Sequence, residues 1–344
     1  MIDNQYKELV NRILSDGLYR EDSSRTVRRK CVFGHQLTLD VSEYFPLLQM
    51  KETPIKQIAT ELIWFLLGST NIKYLVDKGC NIWNKDAYQY YLNNCFTVAT
   101  LSMEEFIQEV KSGPVDYGNY TTGDLGPIYG KQWRAFGPTK VSSPGSIYET
   151  DQIARLIKLL LTDPTNTSMV VSAWNPNVID EIALPACHNQ FQVNSEVVDG
   201  IKYIDLLWSQ RSVDVGLGLG FNVASYAILM HILGVIVDAK PRMLIGQLGN
   251  CHLYEPHIAE MEKLINLPLP IGKPKLVINH IKNTLDNVQR IKKHLAGNLN
   301  CASILTSVIA NNFKPENFSV VGYTPHPKIK LEMYEKTELG NNLR

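Results

Sequence analysis

Apolar and polar positions recur along this chain with two different periods. Over residues 3–16, Tyr6, Leu9, Val10, Ile13 and Leu14 fall at helical spacing and predict a first helix. Val32 to Val41 alternates and predicts a strand. Thr53 followed by Pro54 reads as an N-cap and first helical position; Ile55, Ile58, Leu62, Phe65 and Leu66 then form one apolar stripe that stops near Gly68. Glu61 sits at the edge of that stripe, where a carboxylate has either a partner or a raised pKa and a task. Met103 to Lys111 predicts a short helix, 151–162 an amphipathic helix and Ser168 to Trp174 a strand. Phe191–Val193 and Ile201–Trp208 flank Asp199-Gly200, a strong hairpin signal. A long apolar helix is expected over 221–237, a short strand over Arg242 to Ile245 and a helix over 254–265. The fold is expected to close near Pro325-His326-Pro327, ahead of a polar tail from Glu332 to Arg344.

Between these elements lie stretches of other character. Residues 85–122, rich in Tyr, Asn and Gly, read as an insertion. Arg20 to Lys30 gathers Arg20, Arg25, Arg28, Arg29 and Lys30 among small polar groups. It suits either a loop closing over an anion or a solvated basic turn. Gly123 to Arg134, dense in glycine, aromatic and cation, has the composition of a binding wall. Gly216, Gly218 and Gly220 are not a dinucleotide fingerprint, because the βαβ context and a later acidic residue are missing. Glycines there let backbone approach a ligand at a helix start.

Composition narrows the class. The chain has 344 residues, 44% hydrophobic and 20% charged, enough for a sizeable core. Lys+Arg and Asp+Glu are both 34, so a nucleic-acid-coating role is disfavoured and any bound anion must be met by local cations. The 6 cysteines, at 31, 80, 95, 187, 251 and 301, form no C-x-x-C pair, which suggests neither a zinc site nor a disulfide framework. With no apolar leader and no evident run of about 18 apolar residues, a reduced, cytoplasmic, soluble protein without membrane partners is expected.

Cys187, after Pro185-Ala186 and before an alternating run, is either inert packing or a rigidly held nucleophile. Other residues favour the second reading. Arg211-Ser212 offers a cation beside a hydroxyl, and Asn222 is an amide at a helix start that can read a heterocycle edge. Asp214, Glu61, His252 and Tyr254 add acid, base and hydrogen-bonding capacity. Together these suit covalent catalysis on a planar anionic substrate.

Over residues 5–330 the chain resembles the thymidylate synthase superfamily, which includes the pyrimidine nucleotide hydroxymethylases. The resemblance is carried by Glu61-Leu62-Ile63-Trp64-Phe65-Leu66, Gly123–Arg134, Ser172-Ala173-Trp174-Asn175, Leu184-Pro185-Ala186-Cys187-His188, Gln210-Arg211-Ser212-Val213-Asp214, Phe221-Asn222-Val223-Ala224-Ser225-Tyr226 and His252-Leu253-Tyr254. It implies a layered α/β fold, a mixed sheet with a long buried helix, whose sheets pack back to back in a homodimer. One catalytic domain would cover 1–330, with an insertion at about 85–122 and a tail over 331–344. Cys187 would attack C6 of a pyrimidine nucleoside monophosphate. Arg211, with Arg25, would hold the phosphate and favour the thiolate. Glu61, Tyr129 and Asn222 would act at the ring, and Gln210, Ser212, His252 and Tyr254 on the nucleotide. Trp83, Asp214 and Phe221 would meet the co-substrate 5,10-methylenetetrahydrofolate; no metal is implied.

Asn222 matches the residue that reads uracil, where the cytosine branch carries aspartate, and Ser212 matches the deoxynucleotide form. Other positions depart from thymidylate synthases. Thr167 and Ser168 stand where two arginines reach across the dimer to the phosphate. Asp86 stands for a tryptophan, Gly216 for an aromatic, Gly220 for a proline and Asn250 for an aspartate, and the apolar C-terminus over folate is replaced by the polar tail. Most of these loosen the folate side, and a site admitting water yields hydroxymethyl rather than methyl product. The sequence therefore leans to a dUMP hydroxymethylase. Thymidylate synthase is the alternative, followed by a dCMP or CMP hydroxymethylase or a non-catalytic nucleotide- or RNA-binding relative.

Overall fold

Six strands form the central sheet of the computed structural model, which describes residues 1–21, 27–95, 100–140, 147–279 and 302–332, and Gln289 and Lys293 singly. Across the sheet the order is β1 (Leu18–Arg20), β2 (Arg29–Asp40), β8 (Lys240–Tyr254), β7 (Ile201–Asp214), β6 (His188–Val198) and β5 (Val170–Ser172). Neighbours run antiparallel except β7 and β8, which are parallel, so the sheet is mixed. β6 and β7 join through Asp199 and Gly200, both at positive φ (51° and 76°), the two-residue turn that the Asp-Gly pair predicts.

Alternation sorts the sheet into two faces. On β7, Ile204, Leu206, Trp208 and Gln210 are buried; on β8, so are Leu244 and Leu248. Over this face lies α8 (Leu219–Val237), whose Tyr226 stacks on Trp208 at 5.2 Å and meets Phe191 edge-on at 5.9 Å. The Trp208 ring covers Gly246 of β8 so closely that a Cβ there would fall 2.4 Å from it. The opposite face carries Phe33, 79% exposed, together with half-exposed Leu207 and Ile245.

The sequence showed no membrane-length apolar run, yet α8 is long and apolar enough by composition. It is apolar all round because it is enclosed, by β7 and β8 on one side and α2 (Ile55–Leu66) on the other. The helix α1 (Ile2–Asp16) buries Tyr6, Leu9, Val10 and Ile13 as its spacing predicts. Expected and observed elements differ in several places. Pro54, not Thr53, is the N-cap of α2; the Thr53 hydroxyl instead donates to the Leu48 and Lys51 carbonyls, both at 3.2 Å. The short strand at Arg242–Ile245 is in fact the 15-residue β8. Ladder bonds from β2 and β7 on both sides hold its polar stretch extended, which no local pattern reveals. The Gly123–Arg134 run ends in a helical turn at Tyr129–Arg134, where the buried Arg134 pairs with Asp151 at 2.8 Å and donates to the Leu66 carbonyl. Within 85–122, helices at Asn84–Asn94 and Met103–Ser112 send Tyr91, Phe106 and Val110 into the core.

Candidate active site

Cys187 precedes β6 and is held from both sides. Its backbone N–H donates to the Tyr129 hydroxyl at 2.6 Å, and the His188 N–H reaches the same oxygen at 3.4 Å. Tyr129 is buried, and desolvation holds its phenol well above the ordinary value, so it stays a neutral hydroxyl. From β7, the Arg211 N–H donates to the Cys187 carbonyl at 2.8 Å. The Arg211 guanidinium donates to the carbonyls of Ala186 (3.0 Å) and Pro185 (2.7 Å) and reaches the Cys187 Sγ at 3.8 Å. It also lies 5.7 Å from the Trp174 ring centre. A guanidinium there braces the loop and stabilises negative charge on the sulfur.

Asn222 stands in the first turn of α8. Its Oδ1 accepts from Gln210 Nε2 at 3.0 Å; the same Nε2 donates to the Ser212 carbonyl at 3.0 Å, and Trp208 Nε1 donates to Gln210 Oε1 at 3.2 Å. This relay leaves the Asn222 amide one orientation, so a ring placed beside it meets a fixed donor. His188 also bonds Asn222, and burial pushes its imidazole down to about 4, leaving it neutral.

The third wall is aromatic. Trp83 packs on Trp64 (5.9 Å), Phe65 (6.5 Å) and Tyr129 (6.1 Å), and its indole N–H donates to Glu61 Oε1 at 2.7 Å. Desolvation pushes the Glu61 carboxyl up to about 7, opposed by the Trp83 bond. A carboxyl poised near neutrality can both take and give a proton.

Beyond Asp214 the chain turns through 215–218 into α8. Asp214 Oδ1 accepts from the Leu217 N–H at 3.0 Å, and Lys51, buried, donates its ammonium to the Gly216 carbonyl. Burial pushes Lys51 down to about 8, against the pull of Asp214. The turn abuts the Asn222 amide: a Cβ at Gly218 would stand 3.6 Å from Asn222 Oδ1. Where Gly216 and Gly220 lack side chains, neighbours fill the space. A Cβ at 216 would meet Leu331 Cδ1 at 3.3 Å, and one at 220 would meet Leu48 Cδ2 at 3.1 Å. The loosening expected from those two glycines is thus offset locally, and the start of the tail, Leu331, packs against the core.

His252 and Tyr254 close β8, 3% and 8% exposed, with ring centres 5.3 Å apart. His252 Nδ1 shares a hydrogen bond with Asn250 Oδ1 at 3.1 Å. A run of contacts, passing through His188 and Gly218, therefore links Glu61, Trp83, Tyr129, Cys187, Asn222, Gln210 and Asp214, with Arg211 on the thiol. Ser212 enters through its carbonyl, and Phe221 is half-buried beside Asn222. Arg25 lies outside the described residues; of its neighbours, Arg28 pairs with Glu255 at 2.6 Å. Ser168, where an arginine was expected, receives Arg155, which donates to its carbonyl (2.8 Å) and hydroxyl (2.9 Å). Sequence reasoning missed His188, Trp174 and Lys51 as residues that touch the site. His188 and Trp174 lay inside quoted motifs, and Lys51 is the one cation in the Phe45–Lys51 stretch. Among the described residues no group of three His, Cys, Asp or Glu side chains could hold a metal ion.

A thiol, a buried carboxyl and a fixed amide are thus joined by one set of contacts. The family profile described as thymidylate synthase matches residues 4–335. The chain belongs to the thymidylate synthase family. Curated relatives named thymidylate synthase include that of Mesoplasma florum, 40% identical over 82% of this chain and 91% of its own length. That of Mycoplasma pneumoniae is 36% identical over 82% and 91%. That of Mycoplasma mobile is 34% identical over 96% and 99%. The thymidylate synthase match extends past Leu331 and takes in the Gly123–Arg134 run and the whole 85–122 stretch. Like its family, the chain is a one-carbon transferase.

Proposed function

We propose that this protein is a thymidylate synthase, moving the one-carbon unit of methylenetetrahydrofolate to C5 of dUMP and releasing dTMP and dihydrofolate. One observation carries the reading: the Trp83 indole donates to Glu61 inside an apolar aromatic wall that also holds Tyr129. Such a wall excludes water from the ring, which favours hydride over hydroxyl as the group that completes the one-carbon unit.

Cys187 adds to C6, and the electron pair this releases makes C5 nucleophilic toward the one-carbon unit. Arg211 stabilises the attacking sulfur and, on the side turned away from Pro185, offers charge to the phosphate. Asn222, oriented by Gln210, donates to a uracil carbonyl; aspartate there would suit cytosine instead. Glu61 takes and returns protons at the ring, and removal of the C5 proton followed by loss of tetrahydrofolate leaves a methylene. Hydride from the folate then reduces the methylene, and elimination of the thiolate restores the ring. His252 and Tyr254 meet the sugar. The folate fits the residues present: Trp83 and Phe221 offer flat apolar surface for its ring system, and Asp214 a carboxylate for donors at its edge.

A hydroxymethylase is the second reading. Asp86 is half-buried three residues beyond Trp83, where the resemblance leads to an indole, and a carboxylate there holds water. Incubation with dUMP and methylenetetrahydrofolate, with product mass as readout, decides between them. dTMP with dihydrofolate supports the synthase; hydroxymethyl product with tetrahydrofolate overturns it. A Cys187→Ser variant with full activity would exclude the covalent route, whereas no one-carbon transfer by the unaltered protein would leave a non-catalytic, nucleotide-binding relative.

We also infer that two copies pack back to back through the sheet face opposite α8. In support, Phe33 stands 79% exposed there, beside a depression of about 510 Å³ lined by His35, Ser209 and Gln247. Sedimentation giving a monomer at micromolar concentration would overturn this.

A further inference from the structure

We propose that the extended run 267–271 is a docking edge for an acidic, extended peptide segment of another protein, which lies alongside it as an added strand. The proposal uses none of the residues placed in the site and does not rest on the one-carbon reading.

The sequence makes this run straight. Pro268, Pro270 and Pro274 each bar the residue before them from the helical region, so the chain leaving the helix Ile258–Ile265 continues extended. The structure then fastens one side of it to the body at alternate carbonyls. Pro268 accepts from His326 Nε2 at 2.8 Å, Gly272 from Gln49 Nε2 at 3.0 Å and Pro274 from the Phe45 N–H at 2.6 Å. Pro270 and Pro274 are buried, and prolines bring no N–H that the inner side would have to satisfy. The approach is close: a Cβ at Gly272 would stand 2.8 Å from the Gly322 carbonyl oxygen. The run is therefore held rigidly, and its inner side is complete.

The outer side is not. Leu267, Leu269 and Ile271, spaced by two, share one side of an extended chain and all are exposed, Ile271 to 92%. Among the described residues, nothing bonds the backbone N–H or carbonyl of Leu269 or Ile271. Unpaired backbone groups beside an apolar row are the template on which an extended peptide adds. Charge selects the peptide. Lys7 Nζ donates to the Leu267 carbonyl at 3.5 Å, Lys273 follows Ile271 by two residues, and Lys275 is the ladder partner of exposed Val321. Lys328 lies two residues beyond His326, which is bonded to Pro268. None of these four lysines pairs with a carboxylate among the described residues, whereas Glu260 of the helix leading in is already paired with Lys263 at 2.6 Å. In a chain with 34 cations and 34 anions this local excess is selective. A strand alternating acidic and apolar residues lays its apolar row on Leu269 and Ile271 and its carboxylates within reach of the lysines. The open backbone groups favour a peptide over an anionic lipid surface, which has no ladder to offer.

The test is fluorescence anisotropy with a labelled, end-capped synthetic peptide of alternating glutamate and valine. Its comparators are the same peptide with lysine for glutamate, the same peptide with alternate backbone nitrogens methylated, and phosphatidylglycerol vesicles read by co-sedimentation. The glutamate peptide is expected to bind, more weakly as salt is raised, and the two altered peptides not to bind. Ile271→Asp should weaken the glutamate peptide about 10-fold. Lys273→Glu combined with Lys275→Glu should weaken it as well. Both variants change exposed side chains, so melting temperature and one-carbon transfer should match those of the unaltered protein. No binding of the glutamate peptide, equal binding of either altered peptide, or an affinity untouched by Ile271→Asp would overturn the proposal. Vesicle binding that Ile271→Asp abolishes, without peptide binding, would assign the edge to a membrane surface and overturn it too.

Discussion

Trp83 and Glu61 are 22 positions apart and joined by a 2.7 Å hydrogen bond from indole nitrogen to carboxylate oxygen. The bond favours the ionised carboxylate, while the desolvation around it favours the acid; desolvation wins, and Glu61 titrates near 7. The residue is thereby able to exchange protons under physiological conditions, which an exposed glutamate near its usual 4.5 is not.

A kcat–pH profile is expected to inflect near 7 through Glu61. Glu61→Gln removes that inflection and lowers kcat by on the order of 10²–10⁴-fold. Trp83→Phe removes the one bond that favours the carboxylate, so the inflection moves up in pH. The same raised value fixes a stability trend. The folded state holds the proton more tightly than the unfolded one, so this contribution is complete below about 4.5 and is lost as pH rises to about 7. Denaturant titrations of wild type and Glu61→Gln across that window should diverge in this direction, and coincident curves would contradict it.

Arg211→Lys replaces a planar fork by a point charge and cannot serve the Pro185 and Ala186 carbonyls and the thiol at once. Slower alkylation of Cys187 by iodoacetamide at neutral pH is expected, together with a higher KM for dUMP. Unchanged alkylation would show that the guanidinium does not act on the sulfur.

Asn222→Asp keeps the shape of the side chain and makes it an acceptor at both oxygens. Its kcat/KM should move from dUMP toward dCMP. The new carboxylate also lies against His188 and should raise that imidazole from about 4. Histidine NMR titration reads this directly, and an unmoved His188 would mean that the contact is lost in the variant.

Gly246→Ala would put a methyl 2.4 Å from the Trp208 ring. Because the ring is also stacked on Tyr226, it cannot step aside cheaply. A loss of about 1–3 kcal/mol or more by chemical denaturation is expected.

Much of this protein is determined locally. The spacing of Tyr6, Leu9 and Ile13, the alternation of β6 and β7 and the Asp199-Gly200 turn each carry their own structure, because helical and strand periods are read within a few residues. The motif residues Cys187, Arg211, Asn222 and Glu61 are legible too, since each sits at a fixed offset from an element end. What the sequence does not hold is anything set by residues distant along the chain. The extended course of Gly249-Asn250 comes from ladder bonds on both sides, and the pKa of Glu61 comes from the desolvation its surroundings impose. The space at Gly216 is filled by Leu331 from the far end of the chain. The sequence marks that glycine as a gap; only the packed structure decides that it is closed, because side-chain volume is conserved across a contact and not along a chain.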